Sequence, residues 1–242
     1  VTLIDHLAEL RTRLFIAIGA WLLAAGVMFG FRFELLDWLK QPLPAGLTLH
    51  TFHVMEPLTV SISISAFFGV VLAAPVIGGQ LWGFVAPGLY PTERRWAVPF
   101  ILLTALAFTL GVMFARYVAL PFSLPIITGF LGEEATMLLS TASYIGTLLT
   151  FMGVFGLVFE MPVLAFLLAK LNLVHWSTLA KFRRHSIVGA TILAALITPT
   201  VDPINLGLVA LPLIVLYEIS IWVMRAAQRS EAQADAAPLR PD

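Results

Sequence analysis

IVGATILAALITP, residues 187 to 199, decides how many times this chain crosses a membrane. As a helix, this run is shorter than the roughly 20 apolar residues that a hydrocarbon core of about 30 Å requires. Five other runs have the length: Leu14 to Phe31, Leu58 to Trp82, Val98 to Val118, Ser143 to Leu168 and Ile204 to Met224. Leaving the short run out strands the basic residues that flank it and the last span on opposite faces. Counting it as a helix in a thinned or tilted position gives six spans, near 14–31, 58–82, 98–118, 143–168, 187–199 and 204–224, and puts both termini on one side. The fold class is then an all-α integral membrane protein, with residues 1–229 as one six-helix transmembrane domain.

Composition agrees. Hydrophobic residues make up 60% of the 242 and charged residues 12%, with a mean hydropathy of +0.95, too few polar side chains to cover a soluble globule. Net charge is zero, so the total points to no nucleic acid or other polyanion and placement carries the meaning. Arg11, Arg13, Arg94, Arg95, Lys170, Lys181, Arg183, Arg184, Arg225, Arg229 and Arg240 share the side of the termini, and only Arg32, Lys40 and Arg116 lie opposite. The positive-inside rule makes the richer side the cytoplasm. The first span reads as retained, since it is longer than a signal core and no small-residue cleavage site follows it.

ELLDWLKQPL, residues 34 to 43, segregates Glu34, Asp37 and Lys40 from Leu35, Leu36, Trp38 and Leu39. That pattern predicts a helix lying along the outer membrane surface and ended by Pro42. The Ala-, Gln- and Pro-rich segment 230–242 reads as a disordered cytoplasmic tail.

Catalytic and metal chemistry lack their signatures. There is no Cys, and His6, His50, His53, His175 and His185 are scattered without ligand spacing. No HExxH, GxSxG or phosphate-binding GxxxxGKS or GxxxxGKT loop occurs. The chain reads as no enzyme, with no cofactor and no metal.

Four stretches stand out. HLAELRTRL, residues 6 to 14, sets Glu9 four before Arg13, the favourable order for a helical ion pair. QLWGFVAPGLYPTERRWAVP, residues 80 to 99, combines interfacial aromatics with Glu93 beside two arginines; an aromatic belt with positive-inside arginines explains it as well. GLVFEMPVL, residues 156 to 164, buries Glu160 in an apolar run. A lipid-facing acid costs about 2.5–3.5 kcal/mol there, so Glu160 faces protein or a wet cavity, and Pro162 bends the helix. Its role on residues alone is either an interhelical hydrogen bond or a polar site in a hydrated wall. TPTVDP, residues 198 to 203, with Asn205 beyond, reads as a polar turn between the fifth and sixth spans.

In order and spacing, HLAELRTRL, PVIGGQLWGFVAPGLYPTERR, FGLVFEMPV, KFRRHSIVGATILAALITPTVDP and LPLIVLYE resemble the TatC family of the twin-arginine protein translocase, from His6 to Glu218. The resemblance implies a concave, glove-like bundle of six helices. It implies a receptor for folded cargo whose leader carries paired arginines, exported across the cytoplasmic membrane of a prokaryote on the proton-motive force. Partners implied are single-span subunits of the TatA and TatB type and further copies of the chain in a larger complex. By that likeness Glu9, Arg11, Phe84 and Glu93 form the leader site, and Glu160 is an intramembrane polar site facing the hollow. Thr198, Asp202 and Asn205 mark a docking edge for the single-span partners. Here Asp202 follows Thr-Pro-Thr-Val, whereas the family often sets its aspartate directly after Thr-Pro-Pro.

Guanidinium groups present planar forks that carboxylates accept two bonds at a time, a geometry lysine lacks. Exposed ion pairs contribute only about 0.2–1 kcal/mol each, while micromolar binding needs about 8 kcal/mol. The leader's apolar segment therefore supplies much of the affinity and the acids supply selectivity. A proton-coupled carrier of a small solute, with Glu160 as its titrating acid, is the alternative; it predicts discontinuous helices in repeated positions, for which the sequence shows no clear pattern.

Overall fold

The computed structural model describes residues 3–44, 46–85, 97–129, 138–171, 173–198 and 202–235. Its contacts divide it into two units, Val1–Leu157 and Val158–Asp242.

In the first unit, α1 (Leu3–Gly30) packs against α3 (Glu56–Val85). Trp21 donates to the Ala66 carbonyl at 2.8 Å. Near that crossing a Cβ at Gly69 would come within 2.8 Å of the Ala25 backbone, so the two helices approach as small residues in membranes allow. The rest of α1 leaves Phe15, Leu22 and Leu23 exposed, a surface suited to lipid.

Between these helices, α2 (Arg32–Lys40) runs as predicted, with Leu39 buried and Glu34 and Asp37 outside. It stops at Lys40, with Gln41 as its C-cap. Two-residue strands β1 (Leu49–His50) and β2 (Leu139–Ser140) pair in parallel, an addition to the all-α expectation.

The third span is longer than its apolar run. Helix α4 (Ala97–Phe114) passes through a π turn at Ala115–Ala119 into α5 (Leu120–Gly129). Pro121 has no N–H for the Tyr117 carbonyl, and a widened turn absorbs that mismatch. Helix α6 (Thr141–Phe159) meets α4 where a Cβ at Gly111 would strike the Phe155 backbone. The buried core of this unit includes Val112, Leu120, Leu148, Phe151, Met152 and Phe155.

The second unit contains α7 (Met161–Lys170), α8 (Trp176–Lys181), α9 (Arg183–Ile197) and α10 (Pro203–Asp235). Ala165 and Ala169 of α7 pack on Met224 and Ala227 of α10, with Trp176 and Leu179 against them. Gln228 fastens the preceding loop, accepting from the Trp176 amide at 3.1 Å and donating to the Val174 carbonyl at 2.8 Å.

Among the described residues, five helical stretches are long and apolar enough to cross a bilayer: His6–Gly30, Glu56–Phe84, Ala97–Ile126, Thr141–Lys170 and Pro203–Arg229. The short run is indeed a helix, but it begins at Arg183 and ends at Ile197 rather than spanning 187–199. Its 15 residues extend about 22 Å at the usual rise. One expectation needs correcting. Helix α10 continues to Asp235, six residues into the stretch read as a disordered tail from Ser230. Ala, Glu and Gln are good helix formers and the next proline is Pro238, so the helix propagates. Residues 236–242 lie outside the described residues.

Candidate functional site

The start of α1 and the end of α3 meet at one surface. The His6 ring stacks on Phe84 with centroids 4.3 Å apart and planes 20° from parallel. One turn along, Arg13 donates through Nη2 and Nε to a single oxygen of Glu9, Oε1, at 2.6 and 3.0 Å. Gly83 lets this pair lie close: a Cβ there would collide with the Arg13 guanidinium. Glu9 and Arg13 keep 29% and 28% of their side-chain surface exposed. Because both donors fall on Oε1, Glu9 Oε2 takes no hydrogen bond among the described residues. The cluster can therefore accept a further guanidinium at an aromatic-lined rim.

The predicted site residues are gathered unequally. Glu9 and Phe84 share this surface, bridged by Arg13 and His6. Arg11 is exposed and sits about 200° around the helix from Glu9, so it does not join the pair. Glu93 lies outside the described residues.

Glu160 interrupts the fourth span. Helix α6 ends at Phe159 and α7 starts at Met161, with Glu160 between them as the α7 N-cap. Its backbone remains helical (φ −71°, ψ −19°) and its carbonyl accepts from the Leu164 amide at 2.9 Å. The break lies at the acid itself, two residues ahead of Pro162. Its Oε1 is closed off from solvent. A carboxylate at a helix N-terminus is favoured by the exposed amides there.

The C-terminal end of α9 and the start of α10 carry three predicted polar groups. Thr198 is buried and donates to the Ala194 carbonyl at 2.8 Å, ending α9. Asp202 Oδ1 accepts from the Asn205 amide at 2.7 Å, and its carbonyl accepts from Leu206 at 3.0 Å. With Pro203 next, Asp202 is the N-cap of α10. Asn205 is fully buried.

Residues 5–212 match the family model described as Sec-independent protein translocase protein (TatC). The chain belongs to the TatC family. A TatC relative from Deinococcus radiodurans is 39% identical over 246 residues, covering 98% of this chain and 91% of its own. One from Aquifex aeolicus is 38% identical over 240 residues, covering 97% and 99%. A crystal structure described as the twin arginine translocase receptor TatC superposes with a TM-score of 0.82 at 38% identity, over 93% of this chain and all of the other. TatC proteins are transport components of a membrane translocase, and this chain is a multi-pass membrane protein of that fold. The match leaves the small-solute carrier without support.

Several polar devices of this TatC chain escape a linear reading. Glu56 accepts from the Phe52 amide and Ser140 hydroxyl at 2.8 Å, the His53 amide at 3.3 Å and the Ala142 amide at 2.8 Å. It staples the loop before α3 to the start of α6. Arg116, counted in the sequence as an outer cation, is buried in the π turn. It donates to the Trp38 carbonyl at 2.7 Å and to Gln41 Oε1 at 3.1 Å, and it lies 4.9 Å from the Trp38 ring centroid. Glu218 pairs with Arg183 at 2.8 Å, not with the nearer-in-sequence Arg225. Apart from the Phe52 and His53 amides next to Glu56, these partners stand 35 to 86 positions apart, which leaves no local spacing signal.

Proposed function

We propose that this chain is the leader-peptide receptor of a twin-arginine translocase in the cytoplasmic membrane of a prokaryote, with both termini in the cytoplasm. The observation that carries the reading is the half-occupied carboxylate of Glu9 beside Phe84. One oxygen holds Arg13 and the other is left for a guanidinium of the cargo. Glu93 supplies the second acid, so that two arginines meet two carboxylates, and the leader's apolar segment packs on the membrane-embedded helices. Single-span partner subunits dock along the edge marked by Asp202, with Thr198 and Asn205 buried behind it, and several copies of the chain assemble with them. The chain is a transport component without catalytic chemistry of its own.

Site-specific photocrosslinking from positions 9, 84 and 93 tests the leader site, using an arginine-paired leader and its lysine-paired control. Strong adducts with the first, reduced about tenfold with the second, are expected. Equal adducts with both leaders would falsify the site.

Glu160 stands at the head of α7, and its simplest role is that of a fixed polar group. Glu160→Gln is then expected to keep export at every external pH, while Glu160→Leu loses it. A Gln variant that fails across the pH range that supports the wild type would assign the role of Glu160 to ionisation.

A further inference from the structure

The second unit holds a basic cup of 270 Å³ lined by Trp176, Arg183, Trp222, Arg225 and Arg229. Arg225 stacks on Trp176 at 4.8 Å, and Arg183 is held by Glu218. Neither Arg225 nor Arg229 has a carboxylate partner among the described residues. These two lie four apart on α10, a spacing at which like charges repel. Among the described residues, three guanidiniums stand against one acid around this small concavity.

A second, largely apolar groove of 560 Å³ lies along the same helix, walled by Ile214, Val215, Ile219 and Val223 and by Glu218, whose carboxylate is held by Arg183. Trp222 lines both cavities and is 73% exposed. Polar cup and greasy groove thus adjoin at an aromatic side chain of the kind that settles at headgroup depth. We propose that this pair of cavities binds one anionic phospholipid, its phosphate in the arginine cup and an acyl chain in the groove. Guanidinium forks match phosphate oxygens, and basic pockets between membrane helices suit anionic headgroups. The groove argues for a lipid over a free phosphate, since a bare anion leaves the apolar wall unused. The inference is independent of cargo binding and of which face is cytoplasmic.

Native mass spectrometry of the full chain in neutral detergent tests it, with phosphatidylglycerol, phosphatidylcholine and inorganic phosphate titrated separately. Phosphatidylglycerol is expected to bind about tenfold more tightly than phosphatidylcholine, and the double variant Arg225→Gln, Arg229→Gln to lose that preference. Trp222→Ala, at an exposed position, weakens the lipid without unfolding the core. Arg32→Gln, on a basic residue that lines neither cavity, leaves lipid binding as in the wild type. The proposal is overturned if the double variant binds phosphatidylglycerol like the wild type, if phosphatidylcholine binds equally, or if inorganic phosphate binds as tightly as the lipid. An acidic peptide that displaces the lipid at lower concentration than phosphatidylglycerol itself would also overturn it, assigning the cup to a protein partner.

Discussion

Asp202 precedes a proline and bonds an amide three residues on, so its replacement follows from helix physics. Asp202→Ala removes the side-chain acceptor at the start of α10 and is expected to cost about 1 kcal/mol, whereas Asp202→Asn keeps most of that capping. Thermal unfolding in detergent measures both. If Asp202 also meets a partner subunit through its charge, the Asn variant separates the roles: stability is retained and co-purification of the partner falls. At this scale the sequence was informative where an interaction is local. The Glu9 and Arg13 pair was legible because it closes over one helical turn. The stacking of His6 on Phe84 was not, because the two positions belong to different helices whose approach depends on Gly83 having no side chain.

Among the elements, α2 is the one held most visibly by a single side chain. Arg116→Gln withdraws the donor to Trp38 and Gln41 from a buried position, which costs about 1–3 kcal/mol for groups left unsatisfied. The expected result is amide exchange in α2 faster by about tenfold or more, with the exchange of α6 and α10 unchanged; exchange in α2 equal to that of the wild type would show that Leu39 and the Tyr117 and Tyr144 hydroxyls hold it without Arg116. Hydropathy made the long spans legible, and the alternation of charge and leucine made α2 legible, since both are properties of contiguous residues. The π turn was hidden because proline spacing signals a fault in the helix without saying how it is relieved. The paired strands, only two residues each, carry no periodicity at all. Helix ends also outran their apolar runs, as at Leu3 and Asp235, because the polar residues there are good helix formers lying outside the hydrocarbon.

The molecule as a whole combines long helices with one that is too short. A helix of about 22 Å cannot match a core of about 30 Å, so a bilayer crossed by α9 thins beside it, at a modest cost for each ångström of mismatch. Reconstitution into lipids of increasing acyl length is therefore expected to lower thermal stability steadily, with shorter chains favoured. A melting temperature indifferent to chain length would remove the mismatch. Fidelity is the other whole-molecule property, and it follows from Arg13. Tethered one turn from Glu9, this guanidinium is a resident ligand at high effective concentration, so one oxygen of the acid is already taken when a passing side chain arrives. At the leader site proposed above, stray lysines of abundant proteins meet a half-occupied carboxylate, and only a ligand bringing a fork of donors together with its own greasy stretch gains a foothold on the remaining oxygen. An idle receptor of that kind is thereby screened from most of the cations it encounters, and Arg13 keeps its own bond whether a leader is present or gone.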